Sequence, residues 1–381
     1  MKKSIPAGIV SWAGSLKLAL VLVLLLIILG LSAVIFPQQS DFSTADIKAW
    51  KVQHTVISKF GEILGLFSVF RSPVFLAVII LFALNILTCT ILHLAELKVR
   101  PRDRGSVTSW GFLLLHISLL GILAGGFITT SSGMTGTILL TEGQVFTEQK
   151  KDYIILSSGP LRKKAHQKFK ARLKKTTIVY ARGTIPLQVS TVMDFRSQVE
   201  QIDNVEIRIN HPYTFMGMAF TQDEIGFSPR ISVRDPKSGE TLLHSFVALK
   251  TFREGNNWNY TDFLPVDFLK NRVYLTLFPD HKDEGGKIRK TGELPGKPVL
   301  LFEERDPGGR IISKGIIPYG GKSQICGFEF GFHELRYWTS FIVKADPGYA
   351  VFGFSVWMGL FSLLLRYSAE LKKLFGSEVK K

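Results

Sequence analysis

Four long uncharged segments constrain what this chain can fold into. Each is a run of 19 residues without Asp, Glu, Lys or Arg. At about 1.5 Å of rise per residue, roughly 20 helical residues cross the ~30 Å hydrocarbon core of a bilayer. The sequence therefore predicts four transmembrane helices, over Leu18–Phe36, Val74–Leu92, Trp110–Ile128 and Pro347–Leu365.

The first segment is longer than the apolar stretch of a cleaved secretory signal, which is usually about 7–15 residues. The residues that end it, Ile35-Phe36-Pro37-Gln38, contain no Ala-x-Ala cleavage site. We therefore expect this segment to remain as a permanent span.

Basic residues flank the segments unequally, and this predicts the orientation. Three flanks, 1–17, 93–109 and 366–381, contain twelve Lys and Arg in 50 residues, whereas residues 37–71 contain four in 35. Short cytoplasmic loops are enriched in Lys and Arg, so we expect both termini in the cytoplasm. The predicted order is tail 1–17, span 18–36, extracytoplasmic loop 37–73, span 74–92, basic cytoplasmic loop 93–109, span 110–128, extracytoplasmic domain 131–346, span 347–365 and cytoplasmic tail 366–381.

The 216 residues of 131–346 have a period of two rather than 3.6. Val205–Asn210 and Ile231–Arg234 alternate apolar with polar residues, which is typical of half-buried strands. Turn-forming residues separate such stretches, as in Asp235–Gly239 and Asp306–Gly309. We expect one large, mostly β domain, built as a sandwich or an open barrel.

A basic run interrupts this pattern. Leu161–Lys175 contains eight basic residues and no acid, and it is where an amphipathic helix is possible in the domain. We interpret it as a solvated basic loop near the membrane; the functional alternative is attraction to anionic headgroups, at about 1 kcal/mol per residue close to the surface. Nucleic acid is not expected as a partner outside the cytoplasm.

Composition and motifs exclude several classes. The chain is 46% hydrophobic and 20% charged, with a net charge of +16, which is unlike an ordinary soluble enzyme. Its two cysteines, Cys89 and Cys326, exclude a disulfide-stapled scaffold and a zinc site built from Cys pairs. Without a C-x-x-C-H motif the chain is not itself a c-type cytochrome, and the dispersed histidines make a conventional metallohydrolase an unlikely class.

His116 is the sharpest single feature. It lies six residues into the third segment, and an ionisable side chain inside a span is costly, so it marks a functional site by default. Imidazole is also a standard axial ligand of haem iron. The alternative is a histidine that only packs against a neighbouring helix. His93, just beyond the second segment, is interpreted as a hydrated interfacial residue.

The third segment has a second unusual face. Gly121 and Gly125 form a pair of small residues four apart, on the side of the helix away from His116. Such pairs allow close helix packing in membranes. We expect this face to pack on a sister helix while the His116 face meets a ligand or a partner subunit.

Several short motifs of the sequence, taken in their order, resemble those of the ResB-type cytochrome c biogenesis family. The resemblance covers nearly the whole chain: three spans, a large extracytoplasmic domain and one last span. The motif positions are Arg71, Ser72, Pro73, Asn85 and Cys89 around the second span, Asn210, Pro212, Gly217 and Gln222 in the domain, and Asp346, Pro347 and Gly348 before the last span.

The resemblance implies a subunit of a membrane complex that delivers haem b and supports its covalent attachment to apocytochrome c. His116 matches the position of the family's membrane haem ligand. The resemblance also implies a second, Trp-rich partner of the CcsA type as a separate chain, because the six Trp residues here are scattered. This subunit would be non-catalytic, or would share a site with its partner in a cytochrome c haem lyase.

Two other functions stay open on the sequence. The chain could be a purely structural scaffold for a multi-spanning partner, with no haem contact and His116 as a packing residue. It could also be a generic membrane transport subunit, unrelated to cytochrome c.

Overall fold

The computed structural model describes residues 7–39, 42, 44–99, 107–162, 169–181, 185–255, 257–264, 266, 268–269, 271–285 and 287–368. The chain forms two compact units, one of Met1–Ser131 with Pro347–Lys381 and the other of Ser132–Asp346. The first is helical and the second is almost entirely β. This confirms the predicted fold class of apolar helices combined with one large, mostly β domain.

Four helices of the first unit are long and apolar enough to cross a membrane. They contain the predicted segments almost completely, since α2 and α7 differ from them by two residues at most, whereas α5 and α6 extend beyond them at both ends. The helices within the described residues are α1 Ala7–Ala13, α2 Leu16–Ile35, α3 Thr44–Gln53, α4 Thr55–Leu64, α5 Pro73–Val99, α6 Val107–Ser132 and α7 Tyr349–Arg366, with a 3₁₀ helix over Leu66–Arg71.

A break at Gly14 and Ser15 separates α1 from α2, and a side chain of α5 forms hydrogen bonds with the backbone there. The Asn85 amide of α5 is 4% exposed and donates hydrogen bonds to the Ala13 and Ser15 carbonyls, at 2.6 and 3.2 Å. A helix end leaves backbone carbonyls without partners, which is costly where no water is available. Asn85 therefore provides a donor for the Ala13 carbonyl, where α1 ends, and a second donor for the Ser15 carbonyl, which also accepts from the Ala19 nitrogen at 3.1 Å.

The loop between the first two spans is helical, which the sequence analysis did not predict. Its α3 and 3₁₀ helix contribute to an apolar core with α2 and α5, in which Phe36, Phe67 and Val69 are buried. The Gln38 amide donates to the carbonyls of Phe36 and Leu66, at 2.8 and 3.0 Å. The loop is thereby held against the end of α2.

Helices α6 and α7 approach closely because both carry small residues at the contact. A Cβ atom on Gly125 would lie 2.7 Å from the Phe352 nitrogen of α7, and one on Gly348 would overlap the Gly125 carbonyl. A Cβ atom on Gly121 would overlap the Ser355 hydroxyl. Gly121 and Gly125 therefore lie against α7 in the structure.

The adjacent glycines Gly125 and Gly126 provide a matched test of this packing. Nothing lies within 4 Å of a Cβ on Gly126. We expect Gly125→Leu to destabilise the detergent-solubilised protein by at least the ~1–3 kcal/mol typical of overpacking, because backbone atoms of α7 block the side chain. Gly126→Leu should leave the thermal unfolding temperature unchanged. Equal unfolding temperatures for both variants would contradict the close contact.

The second unit contains eighteen strands within the described residues, and every pairing between them in a sheet is antiparallel. The strands are β1 Met134–Thr141, β2 Val145–Phe146, β3 Ile155–Ser158, β4 Phe169–Ala181, β5 Ile185–Ser197, β6 Gln201–Arg208, β7 Tyr213–Phe215, β8 Met218–Arg234, β9 Thr241–Phe246, β10 Lys250–Glu254, β11 Asn257–Phe263, β12 Arg272–Phe278, β13 Asp280–Glu284, β14 Lys287–Gly292, β15 Val299–Arg305, β16 Ile311–Pro318, β17 Lys322–Ile325 and β18 Phe328–Ala345.

Two long strands, β8 and β18, connect the domain from one end to the other. They lie side by side in a seven-stranded sheet of order β3-β1-β18-β8-β7, with β17 on β18 and β9 on β8. One apolar core joins this sheet to the four-stranded sheet β2-β4-β5-β6, and a second joins it to the five-stranded sheet β10-β11-β12-β15-β16. The domain is thus a sandwich in two halves that share one sheet, rather than an open barrel.

From Phe169 onward the basic run is strand β4, so both the interpretation as a loop and the possible helix were wrong there, although its basic side chains are exposed. In β4, Phe169, Ala171 and Leu173 are buried, while Lys170 and Arg172 between them are exposed. This alternation places the apolar residues in the first core and the charges in solvent. Residues 163–168 of the run lie outside the described residues.

Candidate functional site

His116 lies in α6 with its imidazole held by its own helix. Its Nδ1 is 2.9 Å from the Phe112 carbonyl oxygen, one turn earlier. A carbonyl can only accept a hydrogen bond, so Nδ1 carries the hydrogen and Nε2 presents a lone pair. Histidines that bind metals are commonly oriented in this way by a backbone carbonyl.

His93 of α5 lies beside the same phenylalanine. The ring centroid of Phe112 is 4.4 Å from that of His93 and 4.0 Å from that of His116. The His93 Nε2 atom is buried and has no hydrogen-bond partner among the described residues. Two imidazoles from different helices therefore flank one aromatic ring.

The sequence analysis interpreted His93 as a hydrated interfacial residue because it lies just beyond the predicted span, which ended at Leu92. Helix α5 continues to Val99, so His93 is inside the helix and packs against α6. The residues that follow, Leu94 to Lys98, include good helix formers. This helix propensity is the sequence signal that would have predicted the continuation of α5 beyond Leu92.

Arg366, the last residue of α7, brings a positive charge to the same place. Its guanidinium carbon is 5.7 Å from the centroid of the Phe112 ring, and its Nη1 donates to the Thr108 carbonyl at 3.4 Å. The arrangement thus combines α5, α6 and α7. We call His93, Phe112, His116 and Arg366 the two-histidine site.

The two-histidine site offers two imidazoles from neighbouring helices. The porphyrin of a haem supplies four nitrogen ligands, and the protein adds only one or two axial ligands, often imidazole. His93 and His116 carry side chains of this ligand type, and among the described residues no group of three or more His, Cys, Asp or Glu side chains is placed to hold a bare metal ion.

The other predicted residues of the helical unit support the helices. The Ser72 hydroxyl accepts a hydrogen bond from the Phe75 nitrogen at 3.1 Å, and Pro73 occupies the first position of α5. Arg71 ends the 3₁₀ helix before them. Cys89 lies against the break at Gly14, where a Cβ atom would be 3.1 Å from the Cys89 nitrogen. None of these contacts places the residue at the two-histidine site.

The predicted motif positions in the β domain are placed at turns and in the core. Gly217 has a φ of 74° and Met216 one of 48°, in the two-residue turn between β7 and β8. Asn210 also has a positive φ, 63°, two residues before Pro212. Two-residue hairpin turns with positive φ at both positions favour glycine and asparagine. The backbone conformation of this turn therefore explains why residue 217 is a glycine.

Gln222 is the exception among these motif positions, because its backbone is ordinary strand. Its side chain is 4% exposed, and neither amide atom has a hydrogen-bond partner among the described residues. Asp346, at the end of the domain, forms an ion pair with Lys344 at 3.1 Å. Neither residue joins a cluster of catalytic groups.

A cleft of about 350 Å³ opens in the β domain beside the middle of β8. Tyr180, Trp258 and Tyr337 line it, together with the carboxylates of Asp223 and Glu224. Burial, followed by the nearby Glu142 carboxylate, raises the pKa of Tyr337 to about 12, so its hydroxyl stays protonated at neutral pH. The sequence analysis did not predict this cleft.

Cys326 lies in the tight turn between β17 and β18, with a φ of 50°. Burial raises the pKa of its thiol to about 12, and a hydrogen bond to the Glu304 carboxylate adds to the rise. The thiolate is the reactive form of cysteine. Cys326 is therefore a poor nucleophile at neutral pH.

Alkylation tests this directly in a Cys89→Ala background. At pH 8 we expect iodoacetamide to react with Cys326 roughly ten- to a hundred-fold more slowly than with an ordinary thiol of pKa about 8.5, because the scarcity of thiolate outweighs the greater nucleophilicity of a thiolate with a higher pKa. Glu304→Gln should speed the reaction, since it removes a nearby negative charge. A rate like that of free cysteine would contradict the raised pKa.

The fold and the two-histidine site define a polytopic membrane protein with one large β domain and an imidazole pair between its helices. The profile of the ResB-like family matches residues 16–100 and 103–373. The chain belongs to the ResB-like family.

Curated relatives are similar at low identity. The cytochrome c biogenesis protein CcsB of Trichormus variabilis is 23% identical over 401 residues, which cover 90% of this chain and 81% of that protein. CcsB of a Nostoc species has the same identity and coverage. The cytochrome c biogenesis protein Ccs1 of Rhodomonas salina is 24% identical over 256 residues, which cover 67% of this chain and 52% of that protein.

Proposed function

We propose that this chain is a subunit of a membrane complex for cytochrome c biogenesis, which delivers haem b across the membrane and supports its attachment to apocytochrome c. The observation that carries the proposal is the pair of imidazoles around Phe112, within the helical unit of a ResB-like protein. The two CcsB relatives are named as cytochrome c biogenesis proteins, which supports a role in that process.

His116 is the first residue that would hold the haem iron. Its Nδ1–H is bonded to the Phe112 carbonyl, which fixes the ring and directs Nε2 away from the helix backbone. His93 offers a second imidazole whose Nε2 has no partner among the described residues. A buried nitrogen without a partner loses hydration on folding, and binding iron would compensate that loss.

Arg366 would provide charge complementarity for the cargo. The two propionates of haem are anionic, and carrying them into a span without a cation is costly. The Arg366 guanidinium lies near the Phe112 ring, at the end of α7. It would hold a propionate while an imidazole binds the iron.

The proposed orientation places this site toward the cytoplasm. Both termini would be cytoplasmic and the β domain extracytoplasmic, with the plasma membrane of a bacterium as the location. His93, near the end of α5, and Arg366 would then meet haem as it arrives from inside. The site would capture haem rather than perform the final reaction.

Attachment would take place outside, with a separate CcsA-type partner. The sulfur of each reduced C-x-x-C-H thiol bonds to one vinyl carbon of haem, and the thiol hydrogen goes to the other carbon, so no group of this chain is consumed. The β domain would brace the partner or dock the apocytochrome. The chain is thus a non-catalytic or shared-site subunit of a haem lyase.

Haem content tests the two-histidine site. We expect the complex purified with its partner to lose most haem absorption at this site in His116→Ala and His93→Ala, with the largest loss in the double variant, because the axial ligands are removed. His54→Ala changes an exposed histidine of the same unit and should keep the wild-type spectrum. Unchanged haem content and axial ligation in the double variant would favour the structural scaffold.

Cytochrome c maturation tests the process itself. Deletion of the gene should abolish covalent c-type haem, detected by haem staining after denaturing electrophoresis, while b-type cytochromes persist. A plasmid copy of the wild-type gene should restore the stain, and the double histidine variant should not. Normal c-type haem in the deletion strain would instead favour a generic transport subunit.

A further inference from the structure

Helix α4 is amphipathic in the reverse sense to a helix of a soluble protein. Its buried residues are small, Ser58 and Gly61. Its large apolar side chains face outward, with Val56, Phe60 and Ile63 exposed by 72%, 64% and 80%. A helix in water normally turns its apolar stripe inward, so this face requires an apolar surrounding.

The exposed face begins before α4. Val52, near the end of α3, is 78% exposed and precedes Val56 by four residues. The backbone at His54 is not helical, so α3 and α4 are separate helices; within α4, the intervals of four and three from Val56 through Phe60 to Ile63 follow one side of the helix. We call Val52, Val56, Phe60 and Ile63 the α4 stripe.

Close packing fixes the α4 stripe at the end of the first span. A Cβ atom on Gly61 would overlap the Phe36 ring, which directly follows α2. The Gln39 nitrogen also donates to the Phe67 carbonyl at 2.9 Å. Since α2 has 20 residues, about the thickness of the hydrocarbon core, α4 is held at the depth where that core ends.

The end of α2 also exposes apolar side chains. Val34 and Ile35, in the last turn of α2, are 86% and 64% exposed, as expected of residues that face lipid. The basic side chain of Lys59 on α4 is also exposed. Lys51 differs, because its ammonium contacts Glu62 at 2.7 Å and lies 4.5 Å from the centroid of the Phe67 ring.

We propose that α4 lies in the plane of the membrane interface, with the α4 stripe inserted at the boundary between lipid headgroups and acyl chains. Interfacial helices combine an apolar face in lipid with basic residues near the headgroups. The bilayer is a better occupant than a partner helix because α4 packs against Phe36, which directly follows the first candidate membrane span. This surface is independent of the haem proposal.

Spin labels on the full chain in nanodiscs test the insertion. The nanodiscs contain phosphatidylcholine and phosphatidylglycerol, and the native cysteines are replaced by alanine. Labels are attached at Phe60→Cys and, as the matched control one residue away, at Lys59→Cys. We expect the ratio of collisions with oxygen to collisions with a water-soluble nickel complex to be several-fold higher at position 60, because oxygen concentrates in acyl chains.

Two outcomes would overturn the proposal. Strong nickel collisions at position 60 would place the stripe in water. Loss of both kinds of collision at position 60, when the chain is co-purified with its partner, would show that protein covers the stripe. If Phe60→Cys does not fold, Ile63→Cys reports on the same face.

Discussion

The absence of water in the hydrocarbon core is the constraint on which the helical unit depends. Backbone groups there must find partners within the protein. The break at Gly14 is tolerated because the Asn85 amide donates to two carbonyls beside it. The same constraint explains the close contact of α6 and α7, where small residues replace the hydrophobic effect as the means of association.

The same lack of water restricts the polar groups of the two-histidine site. In an apolar medium an imidazole must be bonded or must bind a ligand. His116 satisfies one nitrogen on its own helix and leaves the other available. His93 and Arg366 come from the neighbouring helices, so the site exists only when α5, α6 and α7 are packed together.

The β domain follows a different principle, because its strands can exchange hydrogen bonds with one another and with water. Two long strands run through both halves of the sandwich, and the facing layer changes from a four-stranded to a five-stranded sheet along them. Its cysteine is held protonated, and its motif residues stabilise turns or lie in the core.

The sequence by itself determined the four apolar segments and the β domain, because length, hydropathy and a period of two are local properties, and it singled out His116 as a candidate. It did not show that helix α5 continues beyond the predicted span, and it predicted a loop, or a helix, where β4 forms. Only the tertiary structure decided that His93 and Arg366 join His116 at Phe112, and that α4 turns its apolar side outward. Such groupings join residues far apart in sequence through the packing of helices, and no local pattern records that packing.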